Sequence, residues 1–169
     1  ATLQLVDGVA IYGGFPAGGG DGTYDARDPT SYVSLLSGDI ATPGDVGDNC
    51  YHVVMANGLS SDAVLDGFSI QEGNADYALA PLSRTELAAL SSNERIALHS
   101  TLSDPPTQAG GGLLLEDASP TLRNLRISDN RALVGGGIAV RGGAPFLEHV
   151  VLADNQAAYD GGGLVNDQN

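Results

Sequence analysis

The chain has 169 residues, and its 21 acidic side chains outnumber seven arginines, with no lysine, to give a formal charge of −14. Its length and its hydrophobic content of 42% predict one folded domain with its own core. No apolar run approaches the roughly 18 residues of a membrane-spanning helix, and the negative charge argues against binding to nucleic acid, which requires a basic face.

The first half of the chain predicts short strands separated by polar loops. Residues 51–55 followed by 63–70 have the same strand–turn–strand layout as residues 113–127, and residues 8–15 and 33–38 resemble earlier strands. The segments 16–31 and 41–49 are rich in Gly, Asp and Pro, which is typical of loops. The single cysteine, Cys50, cannot form an internal disulfide, so packing, hydrogen bonds or ions must stabilise the fold.

Hard oxygen donors are concentrated around the second of these loops. Three carboxylates and one amide lie close together in the sequence, at Asp39, Asp45, Asp48 and Asn49. Because Ca²⁺ takes oxygen ligands of this kind, calcium is the one cofactor that the sequence suggests, and none is otherwise required. The spacing matches neither an EF-hand loop nor the glycine-rich nonapeptide repeat, and a solvated acidic loop is the alternative.

The segment 76–107 breaks the strand pattern, because it contains neither glycine nor alternation. Ser83 and Glu86 have the spacing of a helix capping box, and a second box is predicted at Ser91 and Glu94. We therefore expect a helical insertion with one or two short helices. It could serve as a lid, as a binding element or as decoration.

A regular repeat organises the second half of the chain. Glycine triplets occur at residues 110–112, 135–137 and 161–163. The two full units also share a turn proline, at Pro120 and Pro145, and an Asp-Asn pair, at 129–130 and 154–155. This regularity indicates that each unit is one structural repeat.

Each unit combines alternating apolar residues with turn sequences, which predicts short strands. Strands that recur in every unit predict an all-β solenoid of about five to six coils, as one domain over residues 1–169. Each coil buries its inward residues only when the next coil stacks on it. The predicted inward positions are Leu113, Leu115, Leu125, Ile127, Ile138, Val140, Val150 and Leu152.

The recurring asparagines predict a structural ladder. Asn130 and Asn155 occupy the same place in successive units. Side-chain amides at equivalent positions of stacked coils can bond to the coils above and below. We expect Asn130 and Asn155 to do so, and Asn74 to extend the ladder into the first half.

The motifs GVAIYGGF, LLSGDI, DNCYHVVMANG, AVLDGFSIQEGNA and the GGG…SPTL…SDN repeats resemble those of large bacterial surface proteins with right-handed parallel β-helix repeats. The sequence is similar to the stretch found in proteins with a C-terminal sorting anchor, and more distantly to the chlamydial polymorphic outer-membrane repeats. The resemblance covers nearly the whole chain except residues 76–107. It implies the β-helix fold and an adhesin-like or structural role at the cell surface, and it implies no particular activity.

Parallel β-helices also include pectate lyases and polygalacturonases, so catalysis has to be weighed. The Gly-His-Gly and Arg-x-Lys motifs of polygalacturonase-like enzymes are absent, and no acid cluster at strand spacing accompanies Arg123, Arg126 or Arg141. Glu148 and His149 are adjacent on one strand and are expected to point to opposite faces. No catalytic residue is therefore predicted, and a carbohydrate-active enzyme of the polysaccharide lyase or glycoside hydrolase type remains the alternative.

We expect a non-catalytic extracellular module that presents its β faces or its insertion to another protein subunit or to a glycan. A flat face with scattered Thr, Asn and Arg would favour this function, whereas a cleft with clustered carboxylates and exposed aromatics would favour the enzyme. The opening strand at residues 3–6 has no polar cap, and the chain ends shortly after the third glycine triplet. We therefore expect part of a longer secreted protein, with its ends covered by further coils or by another chain.

Overall fold

A computed structural model describes residues 1–75, 86, 89–94 and 108–167. These residues form mainly β-strands, and every strand pair is parallel. The strands are β1 (Leu3–Gln4), β2 (Ala10–Tyr12), β3 (Ser34–Ser37), β4 (Val54–Asn57), β5 (Val64–Asp66), β6 (Phe68–Gln71), β7 (Asn74–Ala75), β8 (Leu113–Glu116), β9 (Thr121–Ser128), β10 (Arg131–Val134), β11 (Ile138–Arg141), β12 (Phe146–Ala153), β13 (Gln156–Asp160) and β14 (Leu164–Asp167). The prediction of an all-β chain is thus confirmed for its class.

The strands form three sheets that the chain visits in a fixed order. Sheet A has the order β1-β4-β8-β11-β14, and sheet C has the order β13-β10-β7. In sheet B, β9 pairs with β12 on one side and with both β5 and β6 on the other, while β2 pairs with β5 and β3 with β6. We call each passage through the sheets a level. The third level is β8-β9-β10 and the fourth is β11-β12-β13.

The described strands make five levels in sheet A and four in sheet B, fewer than the upper prediction of six coils. The difference lies in the first half of the chain. There, residues 13–33 and 38–53 connect neighbouring strands without adding a strand to any sheet. Each level of the first half therefore uses more residues than the repeat length of the second half.

Each level changes direction at residues with a left-handed backbone. In the third level φ is positive at Asp117, Asn124 and Asp129, and in the fourth it is positive at the equivalent positions of the next repeat, Gly142, His149 and Asp154. Gly, Asn and Asp adopt this conformation most readily. The two repeat units thus share the positions of their bends as well as their inward apolar positions.

The glycine triplets lie where successive levels come closest. A Cβ atom added to Gly111 would fall on the carbonyl oxygen of Arg131, and one added to Gly137 would fall on that of Gly163. Any larger residue would force the levels apart, so these positions require glycine for space. The first glycine of each triplet has a positive φ as well, of 66° at Gly110, 62° at Gly135 and 65° at Gly161.

The core lies between the sheets and consists mostly of aliphatic side chains. Six of the eight predicted inward residues are buried, at Leu113, Leu115, Leu125, Ile127, Ile138 and Val140. Val150 and Leu152 are half-buried and pack against this core from β12. They are less covered because β12 pairs with β9 alone, so that within the described residues no further strand of sheet B lies over them.

The described part of the predicted insertion includes one of its two capping boxes. The hydroxyl of Ser91 donates to Glu94 Oε2 at 2.6 Å, and the Glu94 amide donates back to Ser91 Oγ at 3.3 Å. Residues 92–94 begin a helical turn there. The other predicted box depends on Ser83, which lies outside the described residues. No helix in the described part of the chain is long and apolar enough to cross a membrane.

Candidate functional site

A groove lies on the outer face of sheet B, beneath the connection between β2 and β3. Its volume is about 370 Å³. Pro29, Thr30 and Val33 form one side, while residues of β6, β9 and β12 form the floor. Pockets of this size accept a side chain or a small ligand. This groove was not predicted from the sequence.

The floor of the groove is shaped by two residues in the left-handed conformation. Asn124 has φ 48° and His149 has φ 52°, although both lie within long strands. The pairing of Arg123 with Glu148 and of Leu125 with Val150 places His149 over Asn124. Gly67, with φ 87°, separates β5 from β6 in the level below. Sheet B therefore bends along this line, and Asn124 and His149 are both exposed.

An ion pair beside the groove attaches the β2–β3 connection to the sheet. Arg27 Nη2 donates to Asp66 Oδ1 at 2.8 Å, and both side chains are almost fully buried, with 5% and 3% exposure. Asn124 Nδ2 donates to the same oxygen at 2.9 Å, while Arg27 Nε donates to the carbonyl oxygen of Gly13 at 2.7 Å. The rim of the groove is thereby held in place by a charged network with several partners.

The aromatic residues of the same connection pack around this guanidinium. The Arg27 carbon Cζ lies 4.7 Å from the ring centre of Tyr24 and 4.9 Å from that of Tyr12. Burial alone would raise the pKa of Asp66, but hydrogen bonds from Arg27 and Asn124 and the charge of Arg27 hold the pKa of this carboxyl below its usual value. Asp66 is thus ionised, and Arg27 and Asn124 supply its hydrogen-bond donors.

The charged groups on the outer face of sheet B differ in their pairing. Arg123 bonds to Glu148 at 2.9 Å, and both side chains are nearly half exposed. Arg126, further along the same strand and in the groove, is exposed and forms no ion pair with the described residues. The described lining of the groove contains no carboxylate. Arg126 is therefore a cation that remains available in a largely apolar groove.

The structure brings Asn130 and Asn155 together on successive levels. Asn130 Nδ2 donates to Asn155 Oδ1 at 3.0 Å, and Asn155 Nδ2 donates to the carbonyl oxygen of Ile127 at 2.7 Å. Asn130 is fully buried, and its Oδ1 accepts the Gly73 amide of the level below at 2.9 Å. This one side chain therefore connects three levels.

Asn74 does not continue the ladder, which corrects the prediction. Asn74 is opposite Arg131, so the position level with Asn130 belongs to Gly73. The Asn74 amide instead donates to the carbonyl oxygen of Val46 at 2.6 Å. The reason is the register, since the second level carries Glu72 and Gly73 where the third has Asp129 and Asn130.

The predicted calcium ligands lie in the connection between β3 and β4. Asp39 Oδ2 accepts the amide of Gly44 at 2.8 Å, and Asp48 Oδ2 accepts the amide of Thr42 at 2.9 Å. Both carboxylates thus hold the same short turn from its two ends. Asn49 Nδ2 donates to the carbonyl oxygen of Glu72 at 2.8 Å.

The remaining oxygen of each of these three side chains is buried without a hydrogen-bond partner: Asp39 Oδ1, Asp48 Oδ1 and Asn49 Oδ1. Asp45 differs, because it is exposed and its Oδ1 accepts the Gly47 amide at 2.9 Å. Within the described ranges, no group of three or more His, Cys, Asp or Glu residues is placed to hold a metal ion. The predicted set of three carboxylates is therefore not assembled, and two carboxylates and an amide remain.

Two titratable residues that follow Asn49 in the sequence, Cys50 and His52, are both buried. His52 is buried, and its Nδ1 lies 2.9 Å from the carbonyl oxygen of Gly110, so this nitrogen carries the proton. Burial lowers the pKa of His52 and raises that of the Cys50 thiol. Both shifts favour the neutral forms, in keeping with positions beside the core.

Sequence reasoning missed the groove and its ion pair because their parts are distant in the chain. Arg27 belongs to the connection after β2 and Asp66 ends β5, while Arg126 comes from another level. The one local signal was Asn124, which interrupts the alternation of β9 with a residue that tolerates a left-handed backbone. Comparison with protein-family models, with curated proteins and with solved structures finds no match for this chain.

Proposed function

We propose that the chain folds as a right-handed parallel β-helix and serves as a non-catalytic binding module. The fold proposal is supported by the fixed order in which the chain visits three parallel sheets and by bends that recur at equivalent positions of successive repeats. The family resemblance supports an extracellular or cell-surface setting. The high negative charge would keep such a module soluble.

The groove on sheet B is the proposed binding site, and one observation carries this proposal. Arg126 is an exposed cation that forms no ion pair with the described residues, and it lies among apolar groups contributed by Val33, Phe68 and Val151. In a chain of charge −14, such a position favours a partner that brings a carboxylate together with aliphatic groups. We therefore propose a protein partner that inserts an acidic residue flanked by aliphatic residues.

A glycan-directed function is the second candidate, and a specific observation favours it. A neighbouring cavity of about 330 Å³ shares Pro29 and Asn124 with the groove and adds Tyr24 and Asp25. Tyr24 is 57% exposed, and sugar rings pack on exposed aromatic faces. Hydrolysis of glycosides generally uses two carboxyl groups, whereas the described lining of this cavity contains one, Asp25. Binding without cleavage is thus the form of this alternative that the geometry favours.

The test is a selection of peptides on the purified chain, followed by binding measurements. We expect a library of displayed random peptides to yield sequences with Asp or Glu beside an aliphatic residue. A synthetic peptide of this type should perturb the NMR amide signals of the residues that line the groove. Its affinity should fall at least tenfold in Arg126→Gln, which removes about 1.4 kcal/mol or more.

Arg123→Gln is the matched control, because Arg123 is exposed on the same strand and is already paired with Glu148. Its peptide affinity should match that of the unmodified chain. Equal losses in both variants would indicate a diffuse charge effect and contradict the proposal. An array of neutral and acidic oligosaccharides tests the second candidate, and cleavage of any of them would reject the non-catalytic assignment.

A further inference from the structure

The connection between β3 and β4 contains an unusual concentration of buried oxygens that lack a donor. Six buried side-chain atoms have no hydrogen-bond partner among the described residues, and three of them are Asp39 Oδ1, Asp48 Oδ1 and Asn49 Oδ1. A buried carboxylate oxygen without a donor is costly, since it loses its hydration and gains nothing in return. A cation between two such oxygens in one connection would offset this cost.

Hydrogen bonds to the other side-chain atoms hold these three groups in place. Asp39 and Asp48 each use Oδ2 to bind an amide of the turn at residues 42–44, so Oδ1 is the atom left over in both. The Asn49 amide cannot rotate to present a donor instead, because its Nδ2 already donates to the carbonyl oxygen of Glu72. Each of the three leftover oxygens is therefore available as an acceptor.

We propose that these three oxygens are ligands of a Ca²⁺ ion. Two anionic oxygens and one neutral amide oxygen are the hard donors that this ion takes, and backbone carbonyls or water complete its six to eight ligands. Mg²⁺ fits less well, because it demands near-ideal octahedral geometry and gives up its water reluctantly. The ion would connect Asp39, which follows β3, with Asp48 and Asn49, which precede β4.

The site is distinct from the groove on sheet B and does not depend on the function proposed there. With two carboxylates, its affinity should fall in the range of weak extracellular calcium modules, with a Kd of about 10⁻⁴–10⁻³ M. Calorimetric titration of the chelator-treated chain should give one Ca²⁺ per chain. Thermal unfolding should shift upward by about 5–10 °C when Ca²⁺ exceeds its Kd a hundredfold.

Two variants with the same change of charge test the assignment. Asp48→Asn keeps an acceptor for the Thr42 amide but removes one anionic ligand, so we expect at least a tenfold loss of Ca²⁺ affinity. Asp45→Asn is the matched control, because this exposed carboxylate lies in the same loop and already accepts the Gly47 amide. It should keep the affinity and the thermal shift of the unmodified chain.

The behaviour without metal separates a ligand from a residue needed only for folding. In chelator, Asp48→Asn should melt at or above the temperature of the unmodified chain, because it removes the negative charge of a half-buried carboxylate whose Oδ1 has no donor among the described residues. With saturating Ca²⁺, the order should reverse. Equal Ca²⁺ responses in the two variants, or an equal response to Mg²⁺ and Ca²⁺, would overturn the proposal.

Discussion

The two halves of the molecule use the same sheets but connect them in different ways. Between residues 108 and 167, each level turns at isolated left-handed residues and is joined to the next by glycine contacts and by the two asparagines. Between residues 1 and 75, the connections are long, and they bring together the Arg27–Asp66 pair and the unpartnered oxygens near Asp39. The regular repeats thus supply a frame, while the departures from the repeat supply the chemical groups.

The largest expected effect concerns the ion pair that holds the first half together. Asp66→Asn would leave Arg27 buried without its anion, and removing one partner of a buried pair costs about 3 kcal/mol or more. We expect the urea midpoint to fall accordingly. Amide exchange should rise mainly in residues 13–33 and remain slow in β9 and β12. Faster amide exchange in β9 and β12 as well would contradict the prediction that the ion pair stabilises residues 13–33 without stabilising the regular repeats.

Replacing both partners sharpens this prediction. Asp66→Asn combined with Arg27→Met removes the uncompensated charge, so the double variant should be more stable than Asp66→Asn alone. Additive losses in the double variant would show that the two side chains do not act as a pair.

A smaller effect is expected from the ladder in the regular half. Asn130→Ala should lower the free energy of unfolding by about 1–3 kcal/mol, because buried groups on three levels lose their partner. Asn155→Ala should cost less, because Asn155 is half-buried. Urea denaturation of both variants measures the difference, and the reverse order would contradict a ladder that is strongest where it is fully buried.

The smallest effect concerns His52, which lies between the two halves. Its folded pKa lies below the unfolded value of about 6.5, so the unfolded chain binds more protons between these two pKa values. The contribution of His52 to the free energy of unfolding is therefore complete above about pH 6.5 and is lost as the pH falls through the folded pKa. The total loss is about 1.4 kcal/mol for each unit by which folding lowers the pKa of His52. Urea midpoints at pH 7.5 and 5.5 measure this loss.

The variant His52→Asn provides the comparison for that measurement. Its Nδ2, like His52 Nδ1, is bonded to Cγ and so keeps a donor for the carbonyl oxygen of Gly110, but it cannot titrate. Its stability should change less between the two pH values than that of the unmodified chain. An equal change would assign the pH dependence to the carboxylates instead.

The sequence predicted those features that depend on local pattern. Alternation predicted strands of the parallel sheets, and spacing placed Asn130 and Asn155 on adjacent levels. Features that depend on register or on distant contacts were harder to predict. Asn74 was misplaced because a shift of one position puts Gly73 in the ladder.

The candidate sites show the same division. The acidic loop was visible as composition, but the separation of Asp45 from Asp39 and Asp48 depends on which amides each carboxylate accepts. The groove could not be predicted, because Val33 meets Arg126 and His149 through tertiary contacts alone. The electrostatic character of the groove also depends on pairing, since Arg123 is paired with Glu148 while Arg126 has no ion-pair partner in the part of the chain that the structure describes.

The pairing around β10 has a consequence for protein engineering. Ala75 pairs with Ala132 and Ala109 pairs with Val134, so two residues that are far apart in the chain meet nearly adjacent positions on the same strand. The segment 76–107 is therefore inserted within what would otherwise be one continuous strand. Excising that segment would join Ala75 to Gln108 in register. Foreign loops could therefore be grafted between these two residues without changing the register of the strand.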